Sequence, residues 1–127
     1  MSRLLLSLLT CCVAIAATAA PLSPVAREEI DGLLVRLVAS GCEFNRNGVW
    51  YTAAEAKSHL SQKLKYLEDR GMVQTTEQFI EMAASSSSMS GKPYLVRCGN
   101  NDPVPSGQWL RSELKNSRSA TGTKSTP

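Results

Sequence analysis

Apolar residues recur at spacings of three and four over residues 30–38, where Ile30, Leu33, Leu34, Leu37 and Val38 fall on one helical face. Ser23-Pro24 supplies a hydroxyl cap and a proline at the first helical position. Glu28, Glu29 and Asp31 crowd the early turns, where the helix dipole favours negative charge, and Gly41 stops the helix. Two short runs follow, residues 42–44 and 49–51, on either side of Asn45-Arg46-Asn47-Gly48. Asn-Gly between apolar or aromatic residues is a strong hairpin signal, because both residues tolerate positive φ.

Thr52-Ala-Ala-Glu55 has the capping-box pattern and opens a second helix over residues 53–70, with Ala53, Ala56, Leu60, Leu64 and Leu67 as its buried stripe. Thr75-Thr-Glu-Gln78 repeats that pattern before a shorter helix whose inward residues are Phe79, Ile80, Ala83 and Ala84. Residues 85–90 are serine broken only by Met89, and Gly91 and Pro93 prevent the helix from continuing. Residues 94–98 are β-rich and predict a strand, and residues 100–105 predict a loop. Ser106 caps a last helix with Trp109, Leu110 and Leu114 inward. The composition of residues 119–127 collapses to small and polar residues, and that stretch predicts a disordered tail.

The N-terminus reads differently from the rest. Arg3, an apolar run over residues 4–16 and the small residues Ala17-Thr18-Ala19 have the layout of a cleaved secretory signal spanning residues 1–19. That run is short for a bilayer span, which needs about 20 apolar residues. Cys11 and Cys12 would leave with it; Thr10 stands where a lipoprotein signal needs a small residue before the cysteine. Cys42 and Cys98 then remain in an oxidising compartment, where a disulfide is the default and only one intramolecular pairing exists. Joining them lays the strand at residues 94–98 beside the hairpin. The expectation is a helix-dominated α+β domain over residues 20–118, with about four helices around a small antiparallel sheet and one disulfide.

Charge narrows the function. Without Arg3, thirteen Lys or Arg face eleven Asp or Glu, and no basic run is interleaved with aromatics. A dedicated nucleic-acid binder is therefore excluded, and no later segment is apolar enough to give stable membrane insertion. One histidine and two paired cysteines leave no zinc set, no carboxylates stand at calcium-loop spacing, and no cofactor is implied.

Three groups of side chains could carry chemistry. Glu55, His59, Lys63 and Tyr66 share a stripe beside the buried face of the second helix. There Glu55 could hold the His59 ring while its other nitrogen serves a serine or a ligand, or the two could simply form an i, i+4 pair. The stretch from Ser85 to Lys92 is neither a P-loop nor a nucleophile elbow, since the glycines those motifs need are missing. It could still form an anion nest from the Gly91 backbone, the hydroxyls of Ser88 and Ser90, and Lys92, or be a polar loop leaving a helix. Arg46 and Asn47 fall on the hairpin tip; the turn explains Asn47, while an arginine fork suits a carboxylate or phosphate.

Taken together, Phe44-x-Arg46-Asn47-Gly48, Glu55-Ala56-x-x-His59-Leu60-x-x-Lys63, Thr76-Glu77-Gln78-Phe79-Ile80, Ala84 through Ser88 and Gly91-Lys92-Pro93-Tyr94 resemble the YfeK-like family. Its members are small exported bacterial proteins with a domain of unknown function. The resemblance covers residues 41–94 and implies a bacterial, periplasmic or secreted protein; it carries over no activity.

The reading these features support best is a non-enzymatic module that binds an anionic small ligand or a periplasmic protein partner. Its site would comprise Arg46, Asn47, Glu55, His59, Lys63, Ser88, Lys92 and Tyr94. One alternative is a small hydrolase with His59 as base and a serine from Ser85 to Ser90, Ser88 and Ser90 being the leading candidates, as nucleophile. Another is an inhibitor of a cell-wall glycosidase, because Ser90-Gly91-x-x-Tyr94 is similar to the loop motif of periplasmic lysozyme inhibitors, which are β-barrels.

Overall fold

The computed structural model describes residues 11–14 and 20–123. Most of the expected signal segment, and the last four residues of the expected tail, lie outside the described residues.

Helix α1 (Pro24–Ser40) begins where Ser23 Oγ accepts the amide of Ala26 and ends at Gly41, whose φ of 65° is left-handed. Ile30, Leu33, Leu34 and Leu37 are buried on it, as the spacing predicts. Val38 is not: it is 40% exposed, because it lies at the edge of that face in the final turn. Strand β1 (Glu43–Arg46) and strand β2 (Val49–Tyr51) form the hairpin. Its turn is two residues long, with Asn47 at φ 52° and Gly48 at φ 83°. The predicted turn was four residues long, so Asn45 and Arg46 belong to the strand and not to the tip. Arg46 pairs with Val49 and lies on the same sheet face as Phe44.

Both capping boxes form. Thr52 with Glu55 opens α2 (Ala53–Asp69), and Thr75 with Gln78 opens α3 (Thr76–Ala83). Strand β3 (Leu95–Arg97) pairs antiparallel with β1, placing Phe44 opposite Val96. Strand β4 (Val104–Pro105) falls in the stretch predicted as loop; it is too short to show periodicity and pairs with β3. The sheet order is β2-β1-β3-β4. Helix α4 (Ser106–Thr123) starts directly after β4 and continues through residues 119–123, which the composition had assigned to the tail. Arg118, near that end, bonds Glu29 of α1 and Glu77 of α3 and holds both carboxyls below their ordinary pKa.

The four helices and the inner sheet face enclose one core. Phe44 and Val96 meet Ile30, Leu37, Leu60, Phe79, Ile80 and Leu110, each at most 1% exposed. Trp109 packs against this core but is only partly buried. Cys42 and Cys98 are bonded, next to the Glu43–Arg97 pair, so the disulfide extends the β1–β3 ladder by one step. It closes a separation of 56 residues.

Fixing a loop of that length removes chain entropy from the unfolded state worth about 4 kcal/mol in the loop-closure relation. The double variant Cys42→Ser/Cys98→Ser should lose about that much in urea denaturation at neutral pH. An unchanged midpoint would contradict a stabilising role for the bridge.

Candidate functional site

Because Arg46 closes β1 on the inner face, its side chain runs onto α2. Its Nη1 lies 2.7 Å from Nδ1 of His59, and its guanidinium sits 5.3 Å from the ring centre of Tyr51. Nη1 is also 3.3 Å from Nε2; an arginine has only N–H groups to offer, and the shorter contact makes Nδ1 the acceptor, without a proton. The neutral ring then holds its proton on Nε2, which is 3.2 Å from the hydroxyl of Tyr94. Arginine thus selects the histidine tautomer, and the tautomer directs a donor at the phenol.

Lys63, one turn further along α2, completes the group. Its Nζ donates to the Ser86 carbonyl at 3.1 Å and to the Tyr94 hydroxyl at 3.2 Å, and it lies 5.0 Å from the tyrosine ring centre. Tyr94 is 2% exposed, its ring 5.1 Å from that of Phe44. Its backbone is fixed on both sides, the amide on the Ser85 carbonyl and its own carbonyl on the Ser106 amide. In that tautomer His59 and Lys63 both donate to the phenol oxygen, which leaves the hydroxyl proton for a further acceptor.

The electrostatics are one-sided. Among the described residues neither Arg46 nor Lys63 makes an ion pair with a carboxylate. Burial, then Arg46, then Lys63 hold the pKa of His59 below 6.5. Burial and Arg46 hold Lys63 below its ordinary value. Burial raises Tyr94, with Arg46 opposing it. Every shift of a cationic group here reports positive charge held close together, partly out of water.

The remaining expected residues divide. Asn47 bridges the hairpin to the serine loop, donating to Ser87 Oγ at 3.4 Å and accepting from Ser90 Oγ at 2.6 Å. Glu55 is spent on the capping box, its Oε2 taking the Thr52 amide at 2.8 Å, and does not bond His59. The anion nest does not form, because the loop consumes its own donors: the Gly91 amide bonds the Ser87 carbonyl and the Lys92 amide bonds Ser90 Oγ. Lys92 is exposed and takes no part in the cluster. Ser88 is exposed at the rim, and neither it nor Ser90 bonds His59, whose nitrogens are taken by Arg46 and Tyr94. The serine–histidine pairing a hydrolase would need is therefore not made.

The Arg46–His59 pair forms a ridge between two hollows. One, of about 270 Å³, is lined by Tyr51, Glu55, Ser58 and Gln62. The other is a groove of about 480 Å³ reaching Lys63, Tyr94 and the serine loop, and then Tyr66, Leu67, Met82 and Met89. That size is within the range of small-molecule sites, about 300–1,000 Å³. Groups of three or more His, Cys, Asp or Glu able to hold a metal are absent among the described residues.

Residues 24–118 match a family of unknown function, DUF5329. The chain belongs to that family. It is also 51% identical over 51 residues to the uncharacterized protein YfeK of Salmonella typhimurium strain LT2. That match covers 40% of this chain and 41% of YfeK, so the alignment spans about two fifths of the curated relative. No solved structure matches the chain.

This DUF5329 chain has groove residues that the motif reading did not include. Gln62 lies three positions after His59 and follows from helical spacing, and Tyr51 shares the sheet face of Arg46. Met82 and Met89 carried no such signal, because Met82 reaches the groove through the packing of α3 against α2 and Met89 through the course of the serine loop.

A pH dependence follows from the histidine. Since the folded ring titrates below the unfolded value of 6.5, the unfolded chain protonates first on acidification, and His59 costs stability as pH falls through 6.5 towards the folded pKa. Long-range proton–nitrogen NMR should find the Nε2–H tautomer and a midpoint below 6.5, and Lys63→Met should raise that midpoint. A midpoint above 6.5 in the parent would contradict the arrangement.

Proposed function

We propose that this protein is a periplasmic or secreted, non-enzymatic binding module for an anion. The observation that carries the proposal is the convergence of Arg46 and Lys63 on Tyr94 and His59, with neither cation in an ion pair with a carboxylate among the described residues. An anion placed there would gain the free edge of the Arg46 guanidinium, the remaining Lys63 proton and the Tyr94 hydroxyl proton. Such charge-assisted bonds are about twice as strong as neutral ones. It would also offset the repulsion that adds to burial in lowering His59 and Lys63.

The exported location is supported by the layout of residues 1–19 and by the disulfide, a bond that persists in oxidising compartments. Among the described residues no helix is long and apolar enough to cross a membrane. The reading as a glycosidase inhibitor gains nothing from the buried position of Tyr94, since the loop does not present that side chain to a partner.

Native mass spectrometry of the protein isolated from a bacterial periplasm should reveal a bound mass that is lost on denaturation. Arg46→Ala and Lys63→Ala should each purify without that mass, and each should melt within a few degrees of the parent. Variants that keep the mass, or that lose stability in proportion to binding, would assign the cluster a structural role instead.

A further inference from the structure

The groove has two kinds of wall. Arg46, Lys63 and the Tyr94 hydroxyl make a polar one, and Leu67, Met82 and Met89 an apolar one. Met89 is 98% exposed in a loop of serines, and Tyr66, which lines the same groove, is 55% exposed. A large apolar side chain on a polar loop covers nothing within its own fold, and methionine is the side chain that best adapts to a flexible apolar guest.

Resting on the anion-site reading above, we infer that the ligand is an amphiphile with a single carboxylate head and an aliphatic chain of medium length. The head is held by Arg46, Lys63 and Tyr94, and the chain lies along Leu67, Met82 and Met89. The surroundings favour a monoanion. Arg46 spends one of its five N–H groups on His59 and Lys63 two of its three protons on Ser86 and Tyr94, so enough donors remain for either oxyanion. The apolar wall decides between them, because a phosphate dianion brings twice the charge of a carboxylate to desolvate beside it. The apolar wall adds affinity in proportion to the aliphatic surface it takes from water.

The experiment compares sodium octanoate, sodium acetate and inorganic phosphate by titration calorimetry on the disulfide-bonded chain at neutral pH, with octanoate below its micellar concentration. Octanoate should bind at least about tenfold more tightly than acetate. Arg46→Ala should weaken both. Met82→Gln should bring octanoate towards acetate while leaving acetate unchanged, and Met89→Gln, at an exposed position, provides the same test should Met82→Gln not fold. Octanoate and acetate of equal affinity, or phosphate tightest of the three, with binding lost in Arg46→Ala, would overturn the amphiphile and leave the anion site standing. Octanoate binding undiminished by Arg46→Ala would overturn the placement of the head. No binding by any of the three would overturn both readings.

Discussion

The phenol of Tyr94 is the point through which the fold and the polar cluster are joined. Its amide and carbonyl are bonded to Ser85 and Ser106, so the serine segment and the start of α4 are both registered on it. Its ring lies against Phe44 in the core, and its hydroxyl receives donors from α2. A side chain 2% exposed cannot leave its oxygen without partners at low cost, because an unsatisfied buried hydroxyl forfeits its hydration. His59 and Lys63 supply those partners, and Arg46 fixes the ring that supplies one of them. Displacing the tyrosine would therefore disturb the hairpin contact, the serine loop and the cationic cluster together.

Positive charge is tolerated here because each cation is anchored by a neutral acceptor. Arg46 bonds an imidazole, and Lys63 bonds a carbonyl and a phenol. Elsewhere the protein handles charge in the ordinary way, with Arg27 on Glu68, Arg36 on Glu113 and Arg118 on Glu29 and Glu77. Exposed pairs of that kind are worth little individually, about 0–1 kcal/mol, yet they neutralise. The cluster around Tyr94 departs from this pattern, and the departure is what makes it a candidate for recognising an anion.

Membership of DUF5329 agrees with the motif resemblance and extends it, since the match runs over residues 24–118 and takes in α1, the strands and most of α4. The disulfide has a similar double standing. The sequence suggested it from compartment and count, and the sheet explains it: β1 and β3 run antiparallel, and one further step of their register brings Cys42 and Cys98 together.

Local chemistry was legible wherever a few neighbouring residues decide it. Ser23-Pro24, the two capping boxes and Asn47-Gly48 act over four residues or fewer, and each lies where the sequence put it. The helical stripes were readable because burial follows a period the chain itself carries. Tertiary structure decided the rest. The shorter turn moved Arg46 from the tip into the strand and so onto His59, a change of register that composition cannot reveal. The serine loop spent its own amides instead of forming a nest, and Glu55 was kept by its cap. Hydrogen-bond donors are finite, and which acceptor takes each of them is settled only when the segments meet.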